Sequence, residues 1–519
     1  MKRKHLFIGF WALLLGTLVL LQACKEKVPA QEEPEVEEPI EDVEKPKDDF
    51  VFDPAPFPGK NVTGIDFPTE RTTIEKWVAE NDQKSMLEHA WGIWAGLTAN
   101  SKVRLNNQKL LVFETWLDVQ QLGEGANSGK TYEEICAEPR NRNWLGKLEQ
   151  LFHGNPEGEG EVEALGIETG NANRLESVKY DPYASEHAIK NSYLNLEYME
   201  KLAASAPGDT LSIKDFPKPS ITIKPTYYVF SSDDLEDNRY FKMHAWPGDY
   251  EERAMDEKGF GPTKWKRFVW VDTENKSKGT GKVSKEGDST RTEDCTYNLK
   301  DFIHFTFSEE HASLVNEKDD DNIEDVSAGD WAILVGMHVT TKELKRWTWQ
   351  TYWWEANPDK PLSPSTPLAA ELRKKAKLSK EASHYAVAVA YSMLNPAQPI
   401  RGGENAGDTV IAFNPYLEAA FGCSVFGNNA PIASEVKLPD NSTVTTCRGI
   451  RTNCMSCHSM ATVNFTTSDG KTTVGGQQYI GNRYISISDP AIFNDYLQID
   501  FLWSINLTLG NVVSAEKTE

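Results

Sequence analysis

The chain is short of basic residues, of cysteine and of long apolar runs. Against 78 Asp and Glu it sets 55 Lys and Arg, leaving a formal net charge of -23. That deficit argues against a nucleic-acid binder, whose basic face must neutralise phosphates. Seven cysteines in 519 residues are too few for a disulfide-built scaffold. The apolar run from Leu6 to Leu21 has 16 residues, below the ~20 that a bilayer-spanning helix needs. No Ser-His-Asp order, phosphate-binding glycine loop, HExxH helix or internal repeat occurs. What is present is core material: 39% hydrophobic residues, 10% aromatics and 15 Trp. At ~150 residues per domain the length corresponds to about three domains.

Lys2, Arg3 and Lys4 precede the apolar run, the layout of a secretory signal. The run closes on Leu21-Gln22-Ala23-Cys24. This resembles the lipobox of bacterial lipoproteins, with Gln22 departing from the small or branched residue usual there. The resemblance implies cleavage before Cys24, a lipid on its sulfur and anchorage to a bilayer. It implies an exported protein, on an outer membrane facing the periplasm or the cell surface. Residues 25–49 hold 11 acids and 4 bases among prolines. Self-repulsion and the lack of an apolar period make this segment a tether.

The body reads as α+β in three stretches. Residues 50–206 carry helical spacing, in Trp77, Trp91, Trp94 and Leu97 behind a capping box at Thr72 and Glu75. A second helix is expected from the Asp181-Pro182 cap through Tyr198. Residues 207–355 read as antiparallel β, in runs at 221–223, 227–230, 267–271 and 302–307. A hairpin of 331–340 with 347–354 completes that stretch. Along 331–339 the odd-numbered residues, Met337 among them, are expected on one face and His338 on the other. Prolines 358, 361, 364 and 367 mark a boundary. Residues 356–519 are expected to be a small, mostly α region, with short helices near 369–378, 415–421, 452–461 and 490–504.

The chemistry concentrates in Cys454-Met455-Ser456-Cys457-His458. Cys-x-x-Cys-His is the attachment signature of c-type haem. Two thiols on one helical turn can add to two vinyl groups on one porphyrin edge, and the next residue can then ligate iron. Composition alone predicts about 0.002 chance occurrences of the pattern in this chain. A redox dithiol would want a βαβ context and a zinc site a second ligand pair; the sequence offers neither.

Arg451 to Ala461 resembles the haem-bearing helix of c-type cytochromes. The stretch from Asp489-Pro490 to Trp503 resembles the C-terminal helix that packs across it. Together with Asn414-Pro415-Tyr416-Leu417-Glu418 and the Trp-rich hairpin, the order resembles a group of large bacterial cytochrome-c-like proteins with one haem. The resemblance implies one covalent haem c held by Cys454 and Cys457, with His458 as proximal iron ligand. Soluble cytochromes c place a Met ligand downstream, but here no His follows His458 and no Met follows Met460. A sixth side-chain ligand must therefore come from upstream: Met337, His338, His384 or Met393. A vacant sixth position is the alternative.

One cysteine for lipid and two for haem leave Cys136, Cys295, Cys423 and Cys447, which allow three pairings in an oxidising compartment. The sequence-local Cys423–Cys447 bridge would leave Cys136 to pair with Cys295. The leading expectation is a membrane-anchored electron carrier whose acidic body suits a basic redox partner. The alternatives are a haem enzyme with an open sixth site, and a surface binding module with an accessory haem.

Overall fold

The computed structural model describes residues 51–105, 108–138, 173–205, 210–248, 260–279, 282–285, 288, 290–309, 312–313, 326–399, 407–419, 433–437, 443–447, 452–468, 471–477 and 479–516. The expected signal sequence and tether, with Cys24 and Cys423, lie outside these residues, as do the side chains of 433–447. Among the described residues no helix is long and apolar enough to cross a membrane.

The Val- and Trp-rich runs form one eight-stranded sheet. Its strands are β1 (Leu117–Asp118), β2 (Asn173–Glu176), β3 (Lys179–Tyr180), β4 (Ile221–Phe230), β5 (His304–Thr306), β6 (Trp331–Thr341), β7 (Thr348–Trp354) and β8 (Tyr385–Ala390). The order is β8-β7-β6-β4-β3-β1, with β5 beside β6 and β2 beside β4, and every pairing is antiparallel. The fold is thus mixed α+β with antiparallel sheets. The expected boundaries at 206 and 355 do not divide it, because this sheet takes strands from all three stretches. Backbone pairing between β7 and β8 alone carries the sheet across residue 355.

The last stretch is also not mostly α. It supplies β8 and strands at Thr462–Ser468, Lys471–Gly475 and Leu497–Gln498. The last of these pairs in parallel with Leu211–Ser212 of the middle stretch. The helix expected over 490–504 is a turn at Pro490–Phe493, that short strand, and a separate helix from Trp503. The helix expected from Pro182 through Tyr198 is likewise two, Pro182–Lys190 and Leu196–Ala203. Ser192 breaks it at φ 57°, and the Asn195 side chain caps the second piece. The helix expected behind Thr72 starts at Arg71 with no side-chain cap.

The two faces of the sheet differ in use. On one face lies α1 (Gln83–Leu97), capped by Asp82. Trp94 stacks on Tyr352 at 4.5 Å, and its indole donates to Ala382 O. Tyr352, across from Met337, donates its hydroxyl to Ala90 O. The other face holds Lys224 on β4, His338 on β6 and Thr351 on β7 in one cross-strand row. Two short helices, α2 (Pro415–Glu418) and α3 (Cys454–His458), pack there.

The hairpin of β6 and β7 forms as expected, with one correction to its faces. The β4–β6 register slips between Leu334 and Gly336. Ile333, opposite Tyr228, therefore lands on the face of His338, opposite Lys224, rather than with Met337.

Candidate functional site

The Cys-x-x-Cys-His segment forms a helical turn because Asn453 organises it. The Asn453 side-chain oxygen accepts the Ser456 N–H at 2.8 Å, capping α3. Its amide group donates to Val410 O at 2.7 Å and Ser392 O at 3.0 Å. The turn is therefore tied to the chain that follows β8. Asn414 does the same for α2: it caps Tyr416 N–H and donates to Thr351 Oγ1 and Tyr352 O. Gly336 permits this approach, since a Cβ there would lie 2.9 Å from the Asn414 amide.

His458 lies against the indole of Trp349, ring centroids 4.1 Å apart. Its Nδ1 is 2.8 Å from the carbonyl oxygen of Phe501. A carbonyl only accepts, so Nδ1 carries the proton and Nε2 holds the lone pair. Burial pushes the imidazole down to about 4, so the ring is neutral at pH 7. Burial likewise pushes the Cys457 thiol up to about 12 and holds Cys454 well above its usual value. The Cys454 thiol donates to Ala412 O.

The Phe501 carbonyl is itself held in place. Asp500 and Phe501 are both left-handed, at φ 48° and 72°, and Trp347 is at φ 61°. Such residues cost about 1–3 kcal/mol each and persist only when their surroundings fix them. Here Lys342, in the β6–β7 turn, makes a buried ion pair with Asp500. Phe216 N–H donates to the same carboxylate, and the Trp347 indole donates to Asp500 O at 2.9 Å. The indole of Trp503, first residue of α4 (Trp503–Glu516), points to Cys457 O.

Facing α3 are three groups the sequence reading had not assigned together: His338, Glu418 and Lys224. His338 Nε2 lies 3.8 Å from Glu418 Oε2. Burial, the positive charge of Lys224 and proximity to His458 push His338 down to about 3. Burial raises Glu418 to about 7, against hydrogen bonds from Asn414 N–H and the Thr452 hydroxyl. Lys224 pairs with the buried Glu176 at 3.0 Å. The side chains of His338 and Glu418 keep 23% and 15% of their surface accessible, although burial governs the titration of both. Cys457 and His458 are also partly accessible. Side chains with open surface this deep in the body line a recess.

The four proposed sixth ligands separate cleanly. His338 lies on the recess face. Met337 points to the α1 face and is fully buried there. The Met393 sulfur accepts the Ile485 N–H at 3.2 Å. His384 lies at the far end of β8 from Trp349, beside Tyr297. Of the aromatic run, Trp347, Trp353 and Trp354 are core, and Trp349 is the wall against His458.

The expected Cys136–Cys295 disulfide is absent. Cys136 packs against the main core, whereas Cys295 belongs to a separate cluster with Tyr240 and Trp270. Cys423 and the side chain of Cys447 lie outside the described residues. Glu418 and Lys224 had a sequence signal: each is the sole charge in its run, Pro415-Tyr416-Leu417-Glu418 and Ile221 to Phe230.

Comparison with protein-family models, curated proteins and solved structures returns no match. The functional reading therefore rests on the site itself.

Proposed function

We propose that the protein is a c-type cytochrome that passes single electrons outside the cytoplasm, anchored by lipid on Cys24. One haem joins Cys454 and Cys457 through thioethers, and His458 is its proximal ligand. The observation that carries this reading is the Nδ1–H bond from His458 to Phe501 O. It fixes the tautomer that leaves Nε2 free as an iron donor, an arrangement common to metal-ligating histidines. The two thiols sit on the same helical turn, and Cys457 and His458 keep accessible surface there.

When bound, the haem supplies a one-electron couple at iron. The chain's residues do the rest. Asn453 holds the two sulfurs and His458 on one turn. Trp349 and the Phe501 carbonyl fix the imidazole plane. A redox dithiol is the weaker reading, because such thiols are acidified whereas these are pushed up by burial. A bare-metal site is also weaker, since among the described residues no group of three His, Cys, Asp or Glu side chains is placed to hold an ion.

The test is expression of the full chain in a host with c-type haem maturation, followed by the pyridine haemochrome spectrum. Wild type is expected to give a spectrum with both vinyl groups saturated. Cys457→Ala is expected to shift it to that of a single thioether. A spectrum of extractable, non-covalent haem in wild type contradicts the reading.

A further inference from the structure

We propose that His338 is the sixth ligand of the iron, making the centre six-coordinate with two histidines and closed to small ligands. This rests on the haem reading above and goes further, since it decides between an electron carrier and a ligand-binding enzyme.

Three observations converge on His338. The first is placement. His338 pairs with Thr351 across the β6–β7 ladder, and Trp349 is the next same-face residue along β7. Same-face diagonal neighbours in a sheet lie ~7–8 Å apart, so His338 stands one step from the indole that packs on His458. The second is availability. No hydrogen bond to either ring nitrogen of His338 occurs within the described residues; Glu418 Oε2 lies 3.8 Å from Nε2. Its side chain keeps 23% of its surface accessible, so the ring can be reached from outside the core. The third is exclusion. The Met337 side chain is on the opposite face, the Met393 sulfur is engaged by Ile485, and His384 is at the other end of the sheet.

Around His338 the sheet also explains why a histidine is tolerated there. Gly336, two residues before it on the same face, leaves space that Asn414 fills. Lys224, directly across on β4, is ion-paired with Glu176. The row thus presents one neutral donor to the recess, flanked by an amide and a paired cation.

The experiment uses the full-length, matured protein, with covalent haem verified by mass in every sample. Ferric wild type is expected to be low-spin by electron paramagnetic resonance, and the ferrous form is expected not to bind carbon monoxide. His338→Ala is expected to become high-spin and bind carbon monoxide, with added imidazole restoring the low-spin signal. His338→Met is expected to remain low-spin with a raised reduction potential, as a Met ligand gives relative to His. Met337→Leu is expected to change none of these. A high-spin wild type overturns the proposal and leaves the haem reading standing. So does a low-spin signal unchanged in His338→Ala, or, if that variant does not fold, a potential unchanged in His338→Met. Wild type without covalent haem overturns both.

Discussion

His458 Nδ1 meets the carbonyl oxygen of Phe501 at 2.8 Å, and that carbonyl belongs to a residue held at φ 72°. The orientation of the candidate ligand is therefore set by a backbone turn that would not persist alone. The buried Lys342–Asp500 pair holds the turn together with the Phe216 N–H and the Trp347 indole. Removing one partner of a buried pair strands the other charge, at a cost of about 3–5 kcal/mol. Lys342→Met is expected to lose stability of that order in urea unfolding. The double variant Lys342→Met with Asp500→Leu is expected to lose less than the sum of the singles. Additive losses would show that the pair does not act as a unit.

Gly336 marks the contact between the sheet and α2. A Cβ at this position would lie 2.9 Å from the Asn414 amide, whose hydrogen bonds to Thr351 and Tyr352 are buried. Gly336→Ala is expected to destabilise by about 1–3 kcal/mol, the range of core overpacking. Denaturant melts read the change directly, and an unchanged midpoint would mean that α2 moves aside without cost.

On the other face, Glu343 pairs with His89 at 3.0 Å with both side chains buried. Burial alone would raise the Glu343 carboxyl; His89, the Thr341 hydroxyl and Thr69 N–H outweigh it and hold it below its ordinary value. A lowered folded pKa contributes stability above the unfolded pKa, and that contribution is lost as pH falls through the folded pKa. Glu343→Gln is therefore expected to cost about 1.5–3 kcal/mol at pH 7, the range of hydrogen bonds to a charged group. The gap to wild type is expected to narrow below pH ~4, where the unfolded carboxyl takes up its proton. A gap that stays constant between about pH 3 and 7, the range over which a carboxylate titrates, would contradict the pairing.

Cys136 and Cys295 lie in different clusters and form no bridge with each other. A non-reducing digest is expected to yield no peptide joining them. Cys295 is expected to alkylate in denaturant without prior reduction. A linked peptide would restore the bridge expected from the sequence.

Much of the site was legible because its signals are local. The Cys-x-x-Cys-His turn, the β6–β7 hairpin, the Asp181 cap and the opposed faces of Met337 and His338 all follow from spacing alone. What was not legible depends on distant backbone. The bulge between Leu334 and Gly336 reassigns Ile333 to the other face, and Gly336 is its one residue-type signal. The Phe501 carbonyl carries no side-chain signature, so the fixing of His458 was invisible. Segment boundaries failed at 206 and 355 for the same reason: strand pairing joined runs that composition separates. The last stretch was expected to be mostly α because its short helical signals and its resemblance to c-type cytochromes point that way, whereas the partners of its strands, such as β7 for β8, lie far away in sequence.

The central claim is that Cys454 and Cys457 hold a covalent haem. The most direct measurement is the mass of the proteolytic peptide spanning residues 452–460, taken from the full chain after c-type maturation. The account predicts a peptide heavier by one haem, with both thiols resistant to alkylation and neither sulfur released by reduction. A peptide of unmodified mass with two alkylatable thiols would contradict it.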